Sequence, residues 1–263
     1  MAPLMTAPTH SDLVLDQFTR QAAAFSAAAM ITDERVLTMI VAAARPAADD
    51  TVLDVACGPG IVVCAFAPHV RHATGIDYTP VMLDEARARA TRNGPHNVAW
   101  DQGDAYALPY PDGNFTIVVT RYALHHLEHP EKALREMVRV CAPGGRIVVV
   151  DAYASDDPAK AAAYHRVEKL RDPSHARALS LPELRGLFAG AGLAPRETLY
   201  PLPVDLDDLL ARAFPDPQDL AEIAATFTAA ADDDRLGIPV RRDGEKIQIA
   251  YRAAILAADR PAP

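Results

Sequence analysis

The chain has 263 residues, half of them apolar and 23% charged, a globular balance that excludes wholesale disorder. Its 26 basic against 35 acidic side chains leave a formal charge of −9, which argues against nucleic acid as the main partner. No stretch approaches 18 apolar residues without a charge, and residues 1–10 lack a basic segment followed by an apolar core, so neither a membrane span nor a secretory leader is expected. Cys57, Cys64 and Cys141 are odd in number and show no CxxC spacing, so a reducing, cytoplasmic setting is the expectation.

In chain order, residues 11–45 read helical, with Leu13, Leu15, Phe18, Ala22 and Phe25 at helical spacing, then Val36, Met39, Ile40 and Ala43. Pro46 and the Asp49-Asp50 pair break that pattern. Short β-rich runs then alternate with helical stretches: strand 51–55, helix 61–67, strand 72–76, helix 80–93, strand 98–102, strand 115–120, helix 130–140 and strand 146–151. Strands nearly continuous in aliphatics and alternating with helices imply a parallel sheet covered on both faces, each crossover right-handed. Beyond Asp151 the spacing predicts helices over 158–170 and 181–191, a strand over 193–200, a helix-rich stretch over 205–231 broken at Pro215 and Pro217, and a last strand over 246–256. No repeat or long linker divides the chain, so one domain is expected over 1–263. It comprises a helical cap (1–45), a cofactor-binding core (46–153) and substrate-side helices with the last strands (154–263).

The informative stretch is Val52-Leu53-Asp54-Val55-Ala56-Cys57-Gly58-Pro59-Gly60, between a predicted strand and a predicted helix. Gly58 and Gly60 allow a sharp turn and close backbone approach to a ligand, although strand-to-helix turns also use glycine for steric reasons alone. Asp77 ends the second strand, 17 positions after Gly60, where a carboxylate can accept both hydroxyls of a ribose. The loop lacks G-x-G-x-x-G, which weakens a pyrophosphate ligand. Asp54 beside it suits a ligand with positive charge. After the third strand, Gly103-Asp104-Ala105 can read an adenine edge, the carboxylate accepting from the amino group and the next amide donating to the ring.

Four segments, VLDVACGPG (52–60), GIDYTPVMLDEAR (75–87), GDAYALPYPDGNFTIV (103–118) and RYALHHLEHPEKALREMVRVCAPGG (121–145), resemble class I S-adenosylmethionine-dependent methyltransferases of the ubiquinone/menaquinone-biosynthesis type. The resemblance covers residues 50–153. It implies an α/β, Rossmann-like, seven-stranded sheet, mostly parallel with an antiparallel last strand, helices on both faces and a helical cap. It also implies S-adenosylmethionine as cofactor. Asp54, Ala56 and Gly58 would line its methionine and ribose side, Asp77 would hold the ribose, Tyr78 and Met82 would flank the adenine, Asp104 and Ala105 would read its edge, and Arg121 would lie beside it. Ala56 departs from the glycine that many relatives carry. Segments 17–25 and 170–175 look like those of bacterial small-molecule members, some acting on azapteridine-type heterocycles of secondary metabolism. There Phe25 replaces a usual tyrosine.

His125, His126 and His129 invite a zinc reading, but no cysteine or carboxylate stands at tetrahedral-site spacing, so no metal is expected. His126 is the candidate catalytic base, with His125 packing inward. The acceptor pocket is expected between Phe25, Tyr122, His126, Arg171 and His175, favouring a flat heteroaromatic or phenolic metabolite. Asp151 and Tyr153 stand at the same sheet edge and are candidates for substrate contact. Arg171, Asp172 and His175 are dense in charge ahead of a helix, and Asp172 or Ser174 reads equally as a helix start beside Pro173. The run Asp84-Glu85-Arg87-Arg89 reads as a solvated helix face, and Cys57 as a packing residue. The leading function is methyl transfer to a small acceptor at N, O or C. Alternatives are an NAD-dependent oxidoreductase and an S-adenosylmethionine-binding protein without methyl transfer. The sequence leaves the oligomeric state open.

Overall fold

A computed structural model describes residues 8–262, the side chain of Asn93 aside. Its centre is a sheet of β1 (Thr51–Val55), β2 (His72–Asp77), β3 (Val98–Gln102), β4 (Phe115–Arg121), β5 (Cys141–Ala152), β6 (Arg196–Asp205), β7 (Val240–Asp243) and β8 (Lys246–Asp259). The strand order is β3-β2-β1-β4-β5-β8-β6, with β7 paired to β8 off that path. Strands β1 to β5 pair in parallel and β8 runs antiparallel to both β5 and β6. The main path therefore has the expected seven strands. β7 makes an eighth, which the sequence reading missed.

Alternation within each central strand divides the core between two faces. Val52, Ile117, Val148 and Val150 point into one cluster, whereas Leu53, Val118, Ile147 and Val149 point into the other. All eight are fully buried, which is why these strands read as unbroken aliphatic runs. Burying one such side chain is worth about 1.5–3 kcal/mol, so these runs dominate the choice of register.

Helices cover both faces: α3 (Glu34–Ala44), α4 (Ile61–Phe66), α5 (Pro80–Asn93), α6 (Pro130–Val140), α7 (Pro158–Arg171), α8 (Leu181–Gly190), α9 (Leu206–Ala213) and α10 (Leu220–Ala230). Ahead of them, α1 (His10–Ala27) and the single turn α2 (Ala29–Thr32) lead toward the sheet edge. Thr9 and Asp12 form a reciprocal cap on α1, Asp33 caps α3, Asp157 caps α7, and Ser180 with Glu183 caps α8. Proline opens α5, α6 and α7 at the first turn, where its missing N–H costs nothing. No described helix is long and apolar enough to cross a membrane.

Several boundaries differ from the sequence reading, among them the end of β8, at Asp259 rather than 256. β5 begins at Cys141 rather than Arg146, because Cys141 pairs with Phe115 ahead of a register shift. β6 lies three to five residues later than expected; as an edge strand it tolerates Pro201 and Pro203. No helix starts at Asp172 or Ser174: Asp172 instead ends α7, and the next helix begins at Leu181.

Strand order reverses at β1, whose neighbours are β2 and β4. In open α/β sheets that reversal opens a crevice at the carboxyl ends of the strands. The loops after β1, β2, β3 and β4 all emerge there.

Candidate active site

That crevice is a cavity of about 1160 Å³. Its lining includes Asp54, Ala56, Gly58, Asp77, Tyr78, Met82, Asp104, Ala105 and Arg121, the nine positions singled out in the sequence. Two backbones are strained where β1 and β4 end: Ala56 (φ 57°) and Tyr122 (φ 53°) are both left-handed without being glycine. Gly58 is also left-handed (φ 51°), and a Cβ there would meet no protein atom within 4 Å. The room beside it belongs to the cavity.

Asp54 is 1% exposed, and among the described residues neither carboxylate oxygen has a hydrogen-bond partner. Burial pushes its carboxyl well above the usual range; Arg121 opposes that shift and Asp77 adds to it. Arg121 is buried as well. Its guanidinium donates to the carbonyls of Ile31 (2.8 Å) and Met30 (3.4 Å) and stacks over the Tyr122 ring, leaving Nε without a partner. The cavity thus contains an unsatisfied carboxylate and an unsatisfied cationic N–H. Leaving such groups buried is costly unless a ligand completes them.

Asp77 is placed differently. Its Oδ2 accepts from the Gly58 amide at 2.7 Å and its Oδ1 from the Thr79 amide at 2.8 Å. Burial raises its pKa, and these amides, Thr79 first, hold it back. Tyr78 is half exposed at the rim, Met82 is buried beneath it, and Asp104 accepts from the Tyr106 amide at 2.8 Å.

A second cavity of about 730 Å³ shares Phe18, Phe25, Ile31, Tyr122 and His126 with the first. Of the five positions expected around the acceptor, Phe25, Tyr122 and His126 lie on this shared wall and Arg171 lines the second cavity alone. His175 lines neither. It is 1% exposed, packs among His125, His165 and Tyr164, and burial with its cationic neighbours pushes its pKa far down. Asp151 and Tyr153 line neither cavity either; Asp151 is the partner of His125. Arg89, read as solvated, instead donates to the Pro59 carbonyl and to Ser26, tying α5 to the glycine loop and to α1.

The two adjacent histidines have opposite surroundings. His125 Nδ1 meets Asp151 Oδ1 at 2.5 Å; burial pushes the ring down, but Asp151, with Asp172 and Glu168, lifts it above its ordinary value. His126 is pushed down to about 4 by burial and by His125. Its Nδ1 lies 3.2 Å from the Ser174 carbonyl and 3.0 Å from Ser174 Oγ, whose hydroxyl donates to Asp172 Oδ1 at 2.5 Å. A carbonyl only accepts, so Nδ1 carries the hydrogen and Nε2 keeps the lone pair.

Gln21, Ser174 and Arg212 escaped the sequence reading as parts of this site. For Ser174 a signal existed, since Asp172-Pro173-Ser174 forms an Asx-type turn, with the Ser174 amide donating to Asp172 at 3.0 Å. Gln21 and Arg212 carry no local signal.

The chain is 33% identical over 238 residues to the uncharacterized methyltransferase YcgJ of Bacillus subtilis, an alignment covering 87% of this chain and 94% of that protein. The chain belongs to the class I S-adenosylmethionine-dependent methyltransferases. The crystal structure of YcgJ superposes on this methyltransferase with a TM-score of 0.80 at 32% identity, covering 88% of this chain and all of the other. The family described as a methyltransferase domain matches residues 53–149. The methyltransferase is also 36% identical to the ubiquinone/menaquinone biosynthesis C-methyltransferase UbiE of Roseobacter denitrificans, over 45% of this chain and 49% of that one. Its cofactor is S-adenosylmethionine, and the unsatisfied Asp54 and Arg121 groups with the open face of Gly58 fit a ligand bearing both ammonium and carboxylate. The NAD-dependent and non-catalytic alternatives give way to this assignment.

Proposed function

We propose that the enzyme methylates a small, flat heteroaromatic or phenolic metabolite at N, O or C, with His126 as general base. One observation carries this: His126 stands between the two cavities with Nδ1 committed to Ser174, so that Nε2 is the basic nitrogen of the wall. Support for a small acceptor comes from the second cavity's lining, in which Phe18, Phe25, Tyr122 and Leu202 surround a few polar groups, among them Gln21 and Arg212.

In this reading Asp54 accepts from the cofactor's ammonium, and Arg121 offers its free Nε–H to the carboxylate. Gly58 and Ala56 give the methionine and ribose side close approach. Asp77, already fixed by two amides, accepts from the ribose hydroxyls, while Tyr78, Met82, Asp104 and Ala105 surround the adenine. Bound there, the cofactor supplies an electrophilic methyl on a sulfonium. Phe18, Phe25 and Tyr122 align the acceptor and exclude water, which supplies much of the rate for an in-line displacement. The acceptor's proton passes to His126 Nε2, and Ser174 with Asp172 steadies the imidazolium. The three free cysteines support a reducing, cytoplasmic setting.

The test is a panel of phenolic and heteroaromatic acceptors assayed for S-adenosylhomocysteine formation, with the wild type and His126→Ala. Turnover with at least one acceptor, lost in the variant with cofactor affinity retained, supports the proposal. A variant that turns over every accepted compound normally removes His126 from the chemistry.

A further inference from the structure

We propose that the acceptor carries one carboxylate, and that Arg212 of α9 is the residue that reads it; this rests on the acceptor occupying the second cavity. The charged side chains of that cavity fall into two groups. Glu168 is fully committed: Oε2 accepts from Arg171 Nε (3.0 Å) and Nη2 (2.6 Å), and Oε1 accepts from the Tyr251 hydroxyl (2.8 Å). Asp172 is committed likewise, to the Ser174 amide and hydroxyl through Oδ1 and to Gln21 Nε2 (3.2 Å) through Oδ2. Arg171, the cation that the sequence pointed to, is therefore neutralised at the wall by its own helix neighbour.

Arg212 is the exception. Its Nε donates to the Asp208 carbonyl at 2.8 Å, one turn back on its own helix, and its Nη2 faces only the Met30 sulfur at 3.2 Å. A thioether is a weak acceptor. Among the described residues no carboxylate stands within ion-pair distance of this guanidinium, although it is half-buried and lines the cavity. Burial and the neighbouring Arg171 both work against its charge, so an anion brought there gains more than at a surface.

The charge count sets the class. Arg171 is paired to Glu168, and Asp172 is held by the neutral donors of Ser174 and Gln21. Among the described residues, Arg212 is thus the one cation of this wall whose guanidinium meets no carboxylate, and a single such partner suits a monoanion better than a dianionic phosphate. The planar fork of arginine matches a carboxylate through two parallel N–H bonds. Anchored at Arg212, the ring of such an acceptor would lie along Phe18, Phe25 and Tyr122, facing His126.

The experiment measures calorimetric affinities of the full chain saturated with S-adenosylhomocysteine. The probes are 4-hydroxybenzoate, indole-2-carboxylate and nicotinate, each against its uncharged carboxamide. The expected result is at least one carboxylate bound about tenfold or more tightly than its carboxamide. That preference should collapse in Arg212→Gln and be partly restored in Arg212→Lys, with thermal midpoints confirming that both variants fold. Absence of a carboxylate preference throughout the set, or a preference that survives Arg212→Gln, overturns the proposal. Methyl transfer to a neutral acceptor, unaffected by Arg212→Gln, sinks the carboxylate while leaving the proposed function intact. No turnover with any phenolic or heteroaromatic acceptor sinks the proposed function instead.

Discussion

The amide of Gly58 donates to Asp77 Oδ2 at 2.7 Å, which ties the loop after β1 to the end of β2. One carboxylate thereby shapes the glycine loop and faces the cavity. Asp77→Ala should weaken S-adenosylhomocysteine binding about 10-fold or more and also destabilise the fold by about 1–3 kcal/mol, because two buried amides lose their acceptor. Calorimetry and chemical denaturation separate the two effects. Weakened binding with unchanged stability would mean that the amides find other partners.

Asp54 gives cofactor binding a proton signature. Burial raises the carboxyl pKa, so below that raised value the empty site carries a proton that an arriving ammonium should displace. Affinity should therefore fall as pH drops through that raised pKa and level off above it. Titrations in buffers of different ionisation enthalpy should register proton release at the low end, and Asp54→Asn should abolish it. Buffer-independent heats throughout would place the ammonium elsewhere.

His126 should leave no inflection near 6.5 in the pH dependence of kcat/KM. Its folded pKa of about 4 keeps the ring neutral and basic above that value, so with cofactor saturating the kcat/KM for the acceptor is retained from pH 5 upward and lost as pH falls through 4. His126→Ala should cost about 10²–10⁴ in turnover. Ser174→Ala, which removes the hydroxyl but not the carbonyl, should cost less. A limb at pH 6.5 that survives His126→Ala would assign the base to another group.

His125 works in the opposite sense. Asp151, Asp172 and Glu168 together outweigh burial, the largest single influence, so its folded pKa lies above its unfolded one. The stability it contributes is fully present below about pH 6.5 and is lost as pH rises through the raised value. The gap in thermal midpoint between the wild type and His125→Gln should therefore narrow on going from pH 6 to pH 9. A gap that widens would reverse the assignment.

Ala56 holds a left-handed backbone that glycine adopts without cost. Ala56→Gly should stabilise the protein by about 0.5–1 kcal/mol, the relief of strain exceeding the added freedom of the unfolded chain. Denaturant midpoints check this, and lowered stability would show the methyl to be making contacts that outweigh its strain.

Legibility followed burial and locality. The helices 80–93 and 130–140 were readable to the residue because proline marks each start, and β1, β2 and β4 to within one residue because both faces are buried. β7 is short and charged, and only the Asp243-Gly244 turn signals its hairpin. The sheet-edge side of the first cavity is made of short segments contiguous in sequence, so those residues could be read as motifs, whereas the α1 side chains that close it could not. The second gathers Gln21, Tyr122, Glu168, Arg212 and Tyr251 from five separate elements, a grouping that only tertiary docking creates. Sequence shows His175 as a polar side chain but not its burial, and it lines neither cavity. Arg171 lines the second cavity with its charge already met by Glu168, a pairing that appears only in the fold.

The dependence of α1 on distant parts of the chain also sets an order of assembly. Gln17 donates to the Ala213 carbonyl and Gln21 to Asp172, contacts that span 196 and 151 residues. Helix α1 thus lacks these two partners until α7 and α9 have been synthesised. Contacts of such separation carry a large loop-closure cost and form late. During synthesis the sheet's parallel half can assemble while the wall between the two cavities is still missing, and docking of α1 completes both chambers together.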